Sequence, residues 1–364
     1  MLHHSPAARA PRVLAVLALG LAACSSDPAT PDRPAAALDA GRLTAGTAAI
    51  SSALGTPAWQ SFRVMAPSIV ASSGGNAVVT GGIRNAASTA TGIADPQAAA
   101  TFARAQLAAL LVRPAAPPVA PHAVVPQELL GKTFVWDTAT GQYVVDPART
   151  DAPASGVRHV LYPVNPITGK PASTEELGYV DLIDEGASLT NGEAIRIVVS
   201  AGGITYLDYA LSVTAAPSSA IVQVDGFLSD GTDRVEFHVD GGMQAGTGAA
   251  LAYQVAVPAR DFRAEATITS DGTRNNVQER ITVGTQLVGF TATHAGDTVQ
   301  AAVAVDGVPF ATITGLAALP EIRRADGMPL TADEASALRN ILELTGRTLA
   351  FFGDLLSPLG GPAT

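Results

Sequence analysis

Apolar and polar residues alternate over most of the chain between about residues 133 and 314. Val235, Phe237 and Val239, for example, are separated by charged residues or histidine. A period of two places successive side chains on opposite faces of a strand, so this pattern predicts a sheet with one apolar face. The predicted strands are 133–137, 142–145, 157–162, 178–183, 194–200, 204–214, 220–228, 233–240, 249–257, 262–269, 277–283, 286–293, 298–305 and 308–314.

Short turn signals separate many of these strands. The pairs Gly202-Gly203, Asp230-Gly231, Asp271-Gly272 and Asp306-Gly307 tolerate the positive φ angles of two-residue hairpins. Loops this short make neighbouring strands antiparallel, so the sequence predicts a meander. We therefore predict an α+β fold in which a large antiparallel sheet, curved or half-barrel in shape, packs against helices.

Helical periodicity appears in three places and could cover the apolar face of the sheet. It is weak from residue 37 to about 69, where Thr56 can cap and Pro57 can open a second helix. A second segment is predicted at 95–112. The third is strongly amphipathic and follows Thr331 and Glu334, which form a capping-box pattern.

The N-terminus carries two arginines, Arg9 and Arg12, and then an apolar run at residues 13–20. This run is too short to span a bilayer but is typical of a signal peptide. The sequence Leu21-Ala22-Ala23-Cys24 that follows resembles the lipobox of bacterial lipoproteins. The resemblance implies cleavage before Cys24, diacylglycerol on its thiol and fatty acylation, for example with palmitate, of the new amine.

An ordinary signal peptide with an accidental cysteine is the alternative. Because Cys24 is the only cysteine of the chain, we favour the lipoprotein interpretation. Ser25 follows it, and in the sorting rule of didermal bacteria the absence of aspartate there implies the outer membrane, facing the periplasm. The predicted segments are a signal peptide at 1–23, a flexible tether at 24–36, helices at 37–112, a proline-rich linker at 113–126, the β domain at 127–320 and the C-terminal helical segment at 321–364.

Composition excludes several classes of protein. The chain of 364 residues has 22 basic and 32 acidic residues and a formal net charge of −10, and no basic cluster, so nucleic-acid binding is not expected. A single cysteine excludes internal disulfides and thiolate zinc sites. No catalytic signature is present, and we predict no cofactor.

The candidate chemistry beyond Cys24 is sparse. Six aromatic residues could form a patch for a sugar or a partner protein, or could simply pack across strands: Trp136, Tyr143, Tyr162, Tyr179, Tyr206 and Tyr209. Four histidines outside the signal peptide are interpreted as scattered surface residues: His122, His159, His238 and His294. Four aspartates are explained mainly by turn chemistry, with a weak calcium site as the alternative: Asp225, Asp230, Asp233 and Asp240.

A one-sided sheet closed by helices is similar in outline to the outer-membrane lipoprotein carriers, whose half-barrel wraps a helical lid around a hydrophobic cavity. No motif is shared with them. We expect a non-enzymatic, lipid-anchored envelope protein that binds an apolar ligand or another envelope component. The alternative is a structural or protein-interaction module without a small-molecule site. An enzyme ranks third because no nucleophile–base pair can be chosen from the sequence.

Overall fold

One large antiparallel sheet dominates the structure, and this confirms the predicted α+β class. The computed structural model describes residues 37–73, 125–165, 167–172, 174–185, 192–216, 219–244, 248–270, 274–295, 298–316 and 319–356. The predicted signal peptide, tether and helix at 95–112, and residues 113–124 of the predicted linker, lie outside the described residues.

Fifteen strands form one sheet, in the order β17-β16-β15-β14-β13-β12-β11-β10-β9-β8-β7-β6-β3-β1-β2, and β4 pairs with β5 separately. The strands are β1 Thr133–Asp137, β2 Gln142–Val145, β3 Gly156–Leu161, β4 Val164–Asn165, β5 Lys170–Pro171, β6 Gly178–Asp184, β7 Gly192–Ala201, β8 Ile204–Ala216, β9 Ser219–Ser229, β10 Arg234–Gln244, β11 Gly248–Val257, β12 Phe262–Ser270, β13 Arg274–Val283, β14 Gln286–Ala295, β15 Thr298–Val305, β16 Val308–Leu316 and β17 Leu319–Arg324.

The meander runs from β6 to β17 as predicted, with every consecutive pair antiparallel. At the other end the prediction is wrong, because β1 lies between β2 and β3 and runs parallel to β3. The chain between β2 and β3 is long enough to cross to the far side of β1, which a tight hairpin cannot do. The short strands β4 and β5 and the edge strand β17 were not predicted.

Three α-helices are described: α1 Ala40–Leu54, α2 Pro57–Ser72 and α3 Ala332–Leu356; short 3-10 helices lie at Gln127–Leu129 and Pro258–Arg260. The Thr56 side chain accepts from the amide of Trp59 at 3.4 Å, and Pro57 occupies the first helical position, as predicted. The capping box of α3 is also confirmed: the Thr331 amide donates to Glu334 at 2.9 Å and the Glu334 amide donates to the Thr331 hydroxyl at 3.2 Å.

The helices cover the apolar inner face of the sheet. Helix α1 contacts β9 to β13 and also packs on α3, while α2 contacts β2, β3, β7 and β8. Phe351 and Phe352 of α3 pack against Phe237 of β10, with ring centroids 5.0 and 6.3 Å apart. Buried residues of the helices and of the sheet form one continuous hydrophobic cluster. On the outer face of the described sheet, residues such as Arg234 and Glu236 are exposed.

Candidate functional site

The six predicted aromatic residues do not form one exposed patch. Tyr143, Tyr162 and Tyr209 are buried, with 5%, 6% and 1% of their surfaces exposed. Tyr209 lies in the core beneath α3, where its hydroxyl donates to the carbonyl of Leu355 at 2.8 Å. The residues are therefore divided between the core and the opposite, outer face of the sheet.

One group of aromatic rings surrounds His159 on the inner face. Phe134 stacks on the imidazole with centroids 4.6 Å apart, and Tyr143 meets it edge-on at 5.0 Å. Trp136 packs edge-on against Tyr143 at 5.4 Å, and the Tyr143 hydroxyl donates to the carbonyl of Val160 at 2.8 Å. These contacts are the cross-strand packing that the alternative interpretation of the aromatic residues describes.

His159 itself is fully buried, so its interpretation as a surface residue is wrong. Burial lowers the pKa of its imidazole to about 3, so the ring is neutral at neutral pH. Its Nε2 lies 2.9 Å from the Ser72 hydroxyl, whereas Nδ1 has no hydrogen-bond partner among the described residues.

Ser72 and His159 have the spacing of a nucleophile and its general base. No carboxylate in the described structure orients the imidazole through Nδ1, and a base with a pKa near 3 has little tendency to take a proton at neutral pH. The Ser72 hydroxyl also contacts the carbonyls of its own helix at 2.9 and 3.1 Å. The pair therefore serves as a polar contact that joins α2 to β3.

The outer face carries the other candidate surface, which spans β3 and β6 to β10. Strand registers place its members on one side of the sheet. We call it the outer arginine face and define it by these residues: Arg158, Tyr179, Asp181, Arg196, Asp208, Phe227 and Arg234. Tyr206 lies at a bulge between β7 and β8 and packs, partly buried, against the core.

Ion pairs and aromatic rings hold the arginines of this face in fixed orientations. Arg158 forms a two-pronged ion pair with Asp181 at 2.7 and 2.8 Å and lies 3.8 Å from the centroid of the Tyr179 ring. The guanidinium of Arg234 lies 3.7 Å from the centroid of Phe227. Planar guanidinium groups that are stacked and paired in this way lose little conformational entropy when a partner binds.

Arg196 and Asp208 complete the centre of the face with a second two-pronged pair, at 2.8 and 2.7 Å. The Arg196 side chain is 45% exposed, so it remains accessible to a partner. Side-chain hydrogen bonds to Asp208 raise the pKa of Arg196, so the guanidinium group stays positively charged.

His238 lies beside this face, between two carboxylates. Its Nδ1 contacts Asp225 and its Nε2 lies 2.7 Å from Asp240. Partial burial opposes the charged imidazole, but the hydrogen bonds to both carboxylates outweigh it and raise the pKa of His238.

The four aspartates considered for calcium do not converge on one point. Asp233 pairs with Arg260 at 2.9 Å, and Asp230 accepts from the amides of Thr232 and Asp233 in its own turn. In the described parts of the chain, no three histidine or acidic side chains are grouped as metal ligands.

A buried carboxyl group that was not predicted from the sequence lies between the sheet and α3. Glu279 of β13 is only 4% exposed and accepts from Thr345 at 2.7 Å and Tyr253 at 3.3 Å. Burial raises its pKa to about 7. The sequence contains a signal for this burial. Glu279 lies two positions from both Val277 and Ile281, so the period of two places it on the same inward face as these apolar residues.

A surface cleft of about 280 Å³ lies between α1 and α3. Its wall combines apolar side chains, among them Ile50 and Leu344, with hydroxyl and charged groups. Arg347 crosses it to contact Ser51 and Glu343 at 2.7 Å each. The cleft is a groove between two helices and not the hydrophobic cavity between sheet and helices that is expected for a lipid carrier.

No family model, curated protein or solved structure was found to match this chain. Among the described helices, none combines the length and the apolar character needed to cross a membrane.

Proposed function

We propose that this chain is a lipid-anchored, non-enzymatic protein of the cell envelope, tethered through Cys24, that binds another envelope protein by its outer arginine face. The lipobox-like sequence supports the anchor, and Ser25 after the cysteine favours the outer membrane, facing the periplasm. The arrangement of the outer arginine face supports the binding role.

The single observation that carries the binding role is the difference between the two faces of the sheet. The inner face is covered by α1, α2 and α3 of the same chain over one continuous core. The outer face instead presents arginines stacked on Tyr179 and Phe227.

Arginine and aromatic side chains are enriched where proteins bind one another. Both signs of charge occur on this face, in Arg196 with Asp208 and in Arg158 with Asp181. A protein surface can complement such a mixed pattern, whereas a nucleic-acid backbone, which is uniformly negative, cannot.

Binding of an apolar ligand is the second candidate. The observation in its favour is the carboxyl group of Glu279, buried in the layer between α3 and the sheet. Burial of such a group weakens the attachment of α3 to the sheet whenever the carboxyl is ionised. If α3 separated from the sheet, it would expose an apolar surface of the kind that a lipid carrier uses.

Site-specific photo-crosslinking in cells tests the first candidate. A crosslinking residue at position 196 should capture one defined envelope protein, and Arg234→Ala should reduce its yield. The control position is Thr291 on β14, which is also exposed on the outer face but lies seven strands away, roughly 34 Å at the usual strand spacing. Equal products at both positions, or none at position 196, would contradict the proposal.

Native mass spectrometry of the chain from Ser25 onward, with extraction of bound lipid, separates the two candidates. A lipid bound in near-stoichiometric amount would favour the carrier role. An unliganded mass after exposure to a lipid mixture, combined with a specific crosslink at position 196, would favour the protein-binding role.

A further inference from the structure

The sheet ends in two strands of different character. Strand β2 at one edge has four residues, two of which are exposed valines. Strand β17 at the other edge ends in Glu321-Ile322-Arg323-Arg324 and pairs with β16 alone among the described strands. An edge strand offers unpaired backbone groups to another strand, so the hydrogen-bonding pattern of β17 decides what it can bind.

The register shows which amides of β17 point outward. The Ala325 amide donates to the carbonyl of Phe310 on β16 at 2.9 Å. Because hydrogen-bonded positions alternate along an antiparallel pair, Arg323 and Glu321 also bond to β16. Ile322 and Arg324 therefore direct their amides away from the sheet.

Pro320 continues this outward-facing series, and proline has no amide to donate. The outward carbonyl of Arg324 already accepts from the amide of Gly327 at 3.1 Å. Counting only the described residues, the outer edge of β17 therefore keeps two unpaired amides, those of Ile322 and Arg324, and two unpaired carbonyls, those of Pro320 and Ile322.

We propose that β17 pairs antiparallel with β17 of a second copy of this chain, about a two-fold axis at Ile322. The two Ile322 residues exchange both of their backbone hydrogen bonds. On each side the Arg324 amide of one copy donates to the Pro320 carbonyl of the other. Pro320 then lies opposite Arg324. Because proline has no amide, it cannot donate to the Arg324 carbonyl, but this carbonyl already accepts from Gly327 of its own chain.

Charge complementarity supports this partner and this register. A two-fold axis at Ile322 places Glu321 of each copy opposite Arg323 of the other, and both side chains are exposed, at 59% and 71%. Within one chain the two side chains are neighbours on the same face of β17, two residues apart, with Arg323 Nε 2.8 Å from Glu321. A shift that centred the axis on Arg323 would oppose like charges, which destabilise a strand pair. The contact is isologous, so it closes after two copies.

The charge pattern gives a direct test in sedimentation velocity of the chain from Ser25 onward. Wild-type protein should show a reversible dimer at about 1 mM, a concentration that populates even a weak contact of about 4 kcal/mol. Arg323→Glu and Glu321→Arg should each weaken dimerisation by roughly tenfold or more, because each turns two attractive cross-strand pairs into repulsive ones. The double variant Glu321→Arg/Arg323→Glu should restore the dimer.

A matched control is available inside the sheet. Arg263 and Glu265 form the same kind of pair on β12, which has neighbours on both sides, so Arg263→Glu should leave the dimer unchanged. A wild-type monomer at 1 mM, a double variant that stays monomeric, or an equal effect of Arg263→Glu would overturn the proposal. Open-ended oligomers would also overturn it, because they require β17 to pair with a different edge.

Discussion

Glu279 places a carboxyl group in the apolar layer between α3 and the sheet. Its two hydrogen bonds, from Thr345 and Tyr253, do not compensate for the loss of water, so the pKa of this carboxyl rises from 4.5 to about 7. The folded protein therefore retains a proton that the unfolded chain releases above pH 4.5. Stability must fall as the pH rises from 4.5 through 7, because the native state binds more protons in this window.

We predict that Glu279→Gln removes much of this pH dependence. The wild-type free energy of unfolding should fall by about 3 kcal/mol between pH 4.5 and 8 on account of this group. The variant should be about 1–3 kcal/mol more stable than wild type at pH 8, as measured by urea denaturation at several pH values. Asp354, whose pKa burial raises to about 6, should leave a smaller residual slope.

Glu236→Gln is the control, since Glu236 is exposed on the outer face beside Arg234. It should leave the pH profile unchanged. An unaltered slope in Glu279→Gln would mean that the carboxyl is hydrated in solution and that α3 does not cover it as the structure shows.

At the scale of elements, the close approach of α1 to β12 depends on Gly46. A Cβ atom at this position would lie 2.2 Å from the Phe262 ring, so Gly46→Ala forces the helix and the strand apart. We predict a loss of about 1–3 kcal/mol in the free energy of unfolding, typical of an overpacked core. Urea denaturation near neutral pH would measure it.

Gly41 of the same helix provides the matched control. Its added Cβ would meet only the Asp39 side chain, at 3.8 Å, so Gly41→Ala should be neutral or stabilising by up to about 1 kcal/mol. Equal effects of the two substitutions would show that helix propensity, and not the contact with Phe262, controls this site.

Elements with a strong local signal were predictable from the sequence. The alternation around Phe237 predicted β10, and both residues of the Asp306-Gly307 turn have positive φ, at 50° and 78°, as a two-residue hairpin requires. Strand β17 was not predictable from alternation of apolar and polar residues, because Ile322 is its only apolar residue after Pro320. Proline also argues against a strand except at an edge, and the edge position became visible only in the sheet order.

The candidate surfaces depend on contacts between residues far apart in the chain, and the sequence could not predict these. Ser72 and His159 are 87 positions apart, and the sequence alone does not give the register that brings Arg158 onto Asp181. The aromatic residues were correctly placed on strands, but their division between the two faces also follows from the register and from the β1–β3 pairing.

At the scale of the whole molecule, the proposed anchor and the sheet have separate roles. Cys24 would hold the chain at a membrane, since each methylene of a buried acyl chain contributes about 0.8 kcal/mol, and the sheet would present its outer face and its β17 edge. The proposed anchor would depend on the Cys24 thiol, because diacylglycerol would attach to its sulfur through a thioether.

We therefore predict that Cys24→Ser abolishes incorporation of labelled palmitate and leaves a precursor that retains residues 1–23. Labelling in cells and mass spectrometry of the N-terminus would measure both effects. Ser25→Asp serves as the matched variant: it keeps the thiol, so labelling should persist, while the aspartate should move the protein from the outer to the inner membrane fraction. Palmitate on the Cys24→Ser variant, or a wild-type N-terminus without lipid, would contradict the anchor and favour an ordinary signal peptide.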